Sequence, residues 1–156
     1  WETISMLAGT GLSLAHVGGG DESSLGIITK HADSSGVGLW VAPRLPSSDL
    51  VSLMRGATAV VSMAHKESFG LTPIEAFAVG TPALFVDEGG FRDTIVDGQN
   101  GRLLDREDLA SWHSALEQAA DPSIREEWAK RGRDRISQLD LGPDAHAQRI
   151  WELLFG

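Results

Sequence analysis

The sequence predicts an α/β fold: a doubly wound parallel sheet with helices on both faces and further helices at the carboxyl end. Three observations carry this. Short apolar runs at 12–17, 37–42, 58–63 and 82–86 alternate with segments of helical spacing. Strands that are apolar nearly throughout are buried on both faces, which is the mark of a parallel sheet covered by helices. From residue 106 onward the spacing is helical only. A length of 156 residues suits one such domain.

The elements follow in order. Residues 1–8 read as the tail of a helix, stopped by Gly9 and Gly11. The strand at 12–17 runs into the glycine cluster Gly18–Gly20, and 23–35 is a helix with Leu25, Ile28 and Ala32 on one face, ending at Gly36. The second strand, 37–42, is closed by Pro43 and Pro46. Ser47 or Ser48 then caps a helix carrying Leu50, Leu53 and Met54. A third strand at 58–63, a short helix at 72–79 and a fourth strand at 82–86 come next, then a helical turn at 91–96, a turn at 97–101 and a short fifth strand at 102–104. Helices at 106–120, 123–138 and 144–155 are separated by Asp121-Pro122 and Gly142-Pro143, and the last has Ile150, Leu153 and Leu154 along one side.

In a doubly wound sheet of order 3-2-1-4-5-6 the first strand is central. Here a helix comes first, so 12–17 takes the place of the second strand, and the central one is expected to be missing. A sheet without its middle exposes unpaired edges on both sides of the gap. Residues upstream in a longer protein are expected to supply that strand, and an opening Trp1 rather than Met agrees with a fragment.

Composition narrows the function. The net charge is −9, with 22 acidic against 13 basic residues, and such a surface repels nucleic acid and anionic lipid. Phosphate remains possible, because backbone amides at a helix N-terminus hold it without net positive charge. There is no cysteine, and the five histidines show no ligand spacing, so no metal site is expected. No apolar run approaches the roughly 20 residues that span a bilayer, and no signal-peptide layout opens the chain. The cytoplasm is the expected location.

The informative segment is 65–82, His-Lys-Glu-Ser-Phe-Gly-Leu-Thr-Pro-Ile-Glu-Ala-Phe-Ala-Val-Gly-Thr-Pro. It leaves the end of a strand and enters a helix, where ligands of open α/β sheets bind. Gly70 permits close backbone approach, and free amides near Leu71 and Thr72 make a phosphate cradle. Glu67 and Glu75 offer two carboxylates to two parts of one extended ligand, and a carboxylate accepts well from vicinal sugar hydroxyls. Thr72-Pro73-Ile74-Glu75 reads equally as a capping box, with Thr72 at the N-cap and Glu75 reaching back. Glu67 has no such local explanation in the sequence; its alternative is a solvated loop residue.

The two glutamates in this setting resemble the signature of the glycosyltransferase group 1 family, retaining enzymes of the two-Rossmann-domain (GT-B) architecture. The resemblance continues through Gly89-Gly90, Asp93-Thr94-Ile95-Val96-Asp97-Gly98 and Asn100-Gly101, and weakly through Gly132-Arg133. It implies a carboxyl-terminal, donor-binding domain whose donor is a UDP- or GDP-sugar or a similar nucleotide-diphosphate sugar, with no further cofactor. Glu67 would hold hydroxyls of the transferred hexose near the reacting carbon, as the catalytic candidate. Glu75 would accept from the ribose hydroxyls. Backbone amides around Phe69, Gly70, Leu71 and Thr72 would contact the sugar and diphosphate, and Arg44 and Leu45 would lie by the base.

The sequence departs from the family pattern at Met63-Ala64, where Pro-Ser is usual, and at Asp93, where Glu is usual. The family's Gly-Arg…Lys element near the first strand is absent, and the acceptor would be a sugar, lipid or small molecule bound by a missing amino-terminal domain, through which peripheral membrane contact would also come. Turnover from this chain alone is therefore not expected. Two other functions are compatible with the fold: a nucleotide-sugar epimerase relative, and a non-catalytic binding or assembly module.

Other features carry less. Gly9-Thr10-Gly11 and Gly18–Gly20 flank a strand instead of opening a helix after one, so they fail the context of a dinucleotide fingerprint. Asp87-Glu88 reads as a solvated pair, and Trp40, Trp112, Trp128 and Trp151 as packing residues. The basic run 130–135 reads as an ion-paired helix face. His65 and Lys66 flank the informative segment and are either donor contacts or solvated.

Overall fold

The computed structural model describes residues 1–18 and 20–142. The helix expected over 144–155, with Ile150, Leu153 and Leu154, and the Trp151 within it, lie outside the described residues. The elements are α1 (Glu2–Leu7), β1 (Leu14–Val17), α2 (Glu22–Ser34), β2 (Leu39–Ala42), α3 (Ser47–Gly56), β3 (Val60–Ser62), α4 (Leu71–Val79), β4 (Ala83–Val86), α5 (Phe91–Thr94), β5 (Gly101–Leu104), α6 (Leu109–Ala120) and α7 (Pro122–Leu139).

Three helices start on aspartate caps. Asp21 accepts from the Ser24 amide at 2.7 Å, Asp108 from Ser111 at 3.1 Å, and Asp121 from Ser123 and Ile124 at 2.8 and 3.1 Å. Each satisfies amides that the first turn would otherwise leave unpaired. Pro122 at the first position of α7 loses no hydrogen bond. The cap expected at Ser47 or Ser48 is not formed: Pro46 is the N-cap residue, and both serines lie inside α3.

All strand pairings are parallel. They form two sheets, β1-β2 and β3-β4-β5, with no pairing between them among the described residues. In doubly wound order the break falls where the central strand belongs, between β1 and β3, as expected. Every residue of β4 is buried, and both α4 and α6 contact the strand. Phe85 of β4 meets Phe91 edge to face at 4.8 Å between ring centres.

Trp112 and Trp128 are buried, and each indole satisfies its N–H on a backbone carbonyl, of Asp105 at 2.9 Å and of Gly98 at 3.3 Å. Trp40 departs from expectation. It sits on the outer strand β2 and is 49% exposed, because no described element covers that side of the strand. The basic run is also more than a solvated face. Arg131 pairs with Glu127 at 3.7 Å, but Arg135 donates to the Asp93 and Thr94 carbonyls at 2.7 and 3.4 Å and ties α7 to α5. Arg125 likewise donates to the carbonyls of Arg55, Ala57 and Thr58, neutralising the end of α3 and locating the start of β3.

Candidate functional site

A cavity of about 1080 Å³ separates β1 from β3. Ala15 and Val17 line one side, Val60 and Val61 the other, and Ile4 and Leu7 of α1 cover it. At the carboxyl ends of the strands its wall includes His16, Met63, Ala64, Thr72 and Glu75. No lysine or arginine lines it among the described residues, so an anion there would rest on backbone amides.

Those amides are presented by α4. The helix begins at Leu71, with Gly70 as its N-cap in the left-handed region (φ 79°) and no side chain capping it. This is two residues earlier than the capping-box reading, with Thr72 at the N-cap, requires. Thr72 therefore stands inside the helix, the expected box does not form, and neither Thr72 nor Glu75 hydrogen-bonds through its side chain among the described residues. Glu75 is exposed one turn into the helix, where it lines the cavity. Leu71 and Phe69 are exposed beside it. Pro73, third in the helix, is buried, where a missing N–H costs nothing.

Glu67 is the opposite case. The sequence shows no local partner, yet the side chain folds over its own loop. One carboxylate oxygen accepts from the Ser68 amide at 3.1 Å and the Gly70 amide at 3.4 Å. The Glu67 carbonyl accepts from the Gly90 amide at 2.9 Å. Gly89 and Gly90 form the floor on which this loop lies: a Cβ on Gly89 would come 2.5 Å from the Glu67 carbonyl, and one on Gly90 2.5 Å from Phe69 backbone atoms. Lys66 enters the loop at φ 58°, a conformation uncommon for a side chain of its length. Glu67 does not line the cavity that holds Glu75. Arg44 and Leu45 follow β2 and line a separate hollow of about 370 Å³ with Pro46 and Ser47.

A charged node adjoins the site, centred on a residue that the sequence reading passes over. Arg106 donates to Glu88 at 2.9 Å, to the Met63 carbonyl at 2.6 Å, and to Glu2. His65 stands 3.4 Å from Glu88 and 4.0 Å from Glu2. His65 thus belongs to this node. Asp87 and Glu88 are not a bare solvated pair: Asp87 binds Arg92 at 2.6 Å, and the Arg106 hydrogen bond holds the Glu88 carboxyl below its ordinary range. Partners separated by 104, 43 and 18 positions leave no local signal in the sequence.

A sequence profile described as "Glycosyl transferases group 1" matches residues 16–135. The D-inositol 3-phosphate glycosyltransferase of Acidothermus cellulolyticus is 35% identical over 112 residues, covering 71% of this chain and 22% of that protein. The chain thus spans about a quarter of the length of the curated relatives it matches. Among solved structures, sucrose-phosphate synthase from Thermosynechococcus elongatus superposes with a TM-score of 0.83 at 25% identity, over 98% of this chain and 40% of that one. S. aureus TarM, solved in complex with UDP and other ligands, superposes at 0.79 with 16% identity, over 99% of this chain and 32% of that one. With a family match over most of its length and a shared architecture of parallel strands between helices, the chain belongs to the glycosyl transferases group 1 family and represents its C-terminal, Rossmann-like domain.

Proposed function

We propose that this chain is the donor-binding part of a cytoplasmic glycosyltransferase that moves a hexose, with retention, from a nucleotide-diphosphate sugar to an acceptor. One observation carries the reading: among the described residues Glu75 presents an unpartnered carboxylate one turn into a helix whose N-terminal amides have no side-chain cap, at the carboxyl ends of the strands. A carboxylate there can accept from both ribose hydroxyls while the amides of Leu71 and Thr72 face the diphosphate. Glu67 would meet the sugar with its remaining acceptor capacity. Charge stabilisation of the departing diphosphate and of an oxocarbenium-like sugar is what the transfer demands. The UDP-bound relative of the same fold supports a nucleotide diphosphate as the probe. The acceptor, and any membrane contact, would belong to the partnering domain.

The cavity's lack of cationic side chains among the described residues favours a second reading, a binding module without turnover. Titration calorimetry with UDP and GDP on the chain and on a full-length protein containing it separates the readings from a structural role. Glu75→Ala is expected to weaken binding of the preferred nucleotide by about 1–3 kcal/mol, with Tm little changed because no cap is lost. Unaltered affinity would overturn the ribose role. Binding without sugar transfer in the full-length protein would favour the module.

A further inference from the structure

We infer that His65 is a positioning residue for the β3–α4 loop: when its imidazole is protonated, it latches that loop onto the one that follows β4. The consequence for binding rests on the donor reading of this loop, whereas the latch itself stands on contacts between the two segments. Alternate residues leaving β3 are tied down. The Met63 carbonyl accepts from Arg106 at 2.6 Å, His65 Nδ1 stands 3.4 Å from Glu88, and the Glu67 carbonyl accepts from the Gly90 amide at 2.9 Å. Residues 65 and 67 thus meet 88 and 90 in step. Between these two ties Lys66 holds φ 58°. That conformation costs a non-glycine residue free energy and persists only where its surroundings impose it. The Gly90 tie joins backbone to backbone and is indifferent to pH. The His65 tie is not, because imidazole is the side chain that changes charge between pH 5 and pH 8.

The charges facing the ring are Glu2 of α1, Glu88 after β4 and Arg106 after β5. Asp87 is taken up by Arg92 at 2.6 Å, and Lys66 follows in the chain. Two carboxylates against one guanidinium leave one negative charge, which a protonated His65 cancels. Arg106 hydrogen-bonds Glu88 and holds its carboxyl below the ordinary range, so Glu88 stays ionised where imidazoles take up their proton. A neutral ring donates from one nitrogen, a charged ring from both, and here Nε2 stands 4.0 Å from Glu2. Slack at His65 would reach the start of α4, because Glu67 in turn holds the Ser68 and Gly70 amides. The latch is closed at the acid end of the range and released as pH rises, so donor affinity falls with it. The His65 side chain is 63% exposed, which limits the effect to that of a surface ion pair, about threefold.

The test compares the full 156-residue chain with its His65→Gln variant at pH 5.5 and pH 8. NMR reads the protection factors of the Gly70 and Gly90 amides, which remove the intrinsic pH dependence of exchange. Calorimetry reads the affinities for UDP-glucose and GDP-glucose, whose diphosphates are esterified at both ends and keep their charge over this range. Protection and affinity in the parent are expected to be about threefold higher at pH 5.5, and both to be flat with pH in His65→Gln. Flat protection in the parent, or an equal pH dependence in the variant, would overturn the latch; constant nucleotide affinity alongside would leave the donor reading standing. Protection that follows His65 while affinity stays flat would overturn the positioning role. Protection that follows His65 with neither nucleotide bound would uphold the latch and sink the donor reading alone.

Discussion

At the scale of single residues, Glu67 and Glu75 exchange the parts that local sequence assigns them. Thr72-Pro73-Ile74-Glu75 has the spacing of a capping box, but a box needs Thr72 outside the helix, and Gly70 takes that position instead. Glycine costs only a few tenths of a kcal/mol relative to a polar cap, so the helix gains a turn start without using Glu75. Glu67 meanwhile spends one oxygen on the Ser68 and Gly70 amides. Glu67→Ala is therefore expected to destabilise the fold by about 1 kcal/mol and to speed exchange of the Gly70 amide, whereas Glu67→Gln, which keeps an acceptor oxygen, should recover most of it. Hydrogen exchange with chemical denaturation reads both. If Glu67→Ala leaves exchange at Gly70 unchanged, the loop contact is not a support.

At the scale of elements, the loop from β3 to α4 is shaped by the loop that follows β4. Gly89 and Gly90 lie so close beneath residues 67–69 that any Cβ would enter backbone atoms of the upper loop. Backbone, unlike a flexible side chain, cannot step aside cheaply. Gly90→Ala is expected to cost about 1–3 kcal/mol, as overpacking does, and to weaken nucleotide binding by shifting the Glu67–Gly70 segment. Gly26→Ala is the matched control. It lies inside α2 with open space around its missing Cβ, so it should stabilise by about 0.5–1 kcal/mol. Thermal melts of the two variants should move in opposite directions. A Gly90→Ala protein as stable as the parent would show that the two loops are not in the close contact described.

At the scale of the whole molecule, Arg106 links the exits of β3, β4 and β5 to the start of α1 through Met63, Glu88 and Glu2. Glu88 titrates below its ordinary value in the fold, chiefly because Arg106 donates to it. Asp21 and Asp108 are lowered too, chiefly by their hydrogen bonds with Ser24 and Ser111. A carboxyl whose folded pKa is depressed binds its proton more tightly when unfolded. Its contribution is complete above the unfolded value, about 4, and is lost as pH falls through the folded value. Stability should thus rise with pH through the acid range and level off above about pH 5. Arg106→Gln should lower the plateau and flatten part of that rise, with the cap aspartates providing the rest. Denaturant midpoints from pH 2.5 to pH 6 measure this, and an unchanged slope in Arg106→Gln would refute the role given to Glu88.

Strand and helix order was legible in the sequence because each apolar run and each turn residue acts locally. So was the vacant centre, since a helix precedes the first strand where the topology needs a strand. The segment from Gly70 onward marked the α4 N-terminus as the candidate site. What only the tertiary structure decided depends on contacts between distant segments. Arg106 has no meaning until Glu2, Met63 and Glu88 converge on it. Trp40 looks like core until β2 proves to be an outer strand. The informative segment itself remains the place where chemistry is expected, but which glutamate supports the loop and which stays unpaired among the described residues was set by a two-residue shift of the helix start. Local spacing cannot resolve such a shift, because it depends on how the loop packs on Gly89 and Gly90, which are distant in sequence.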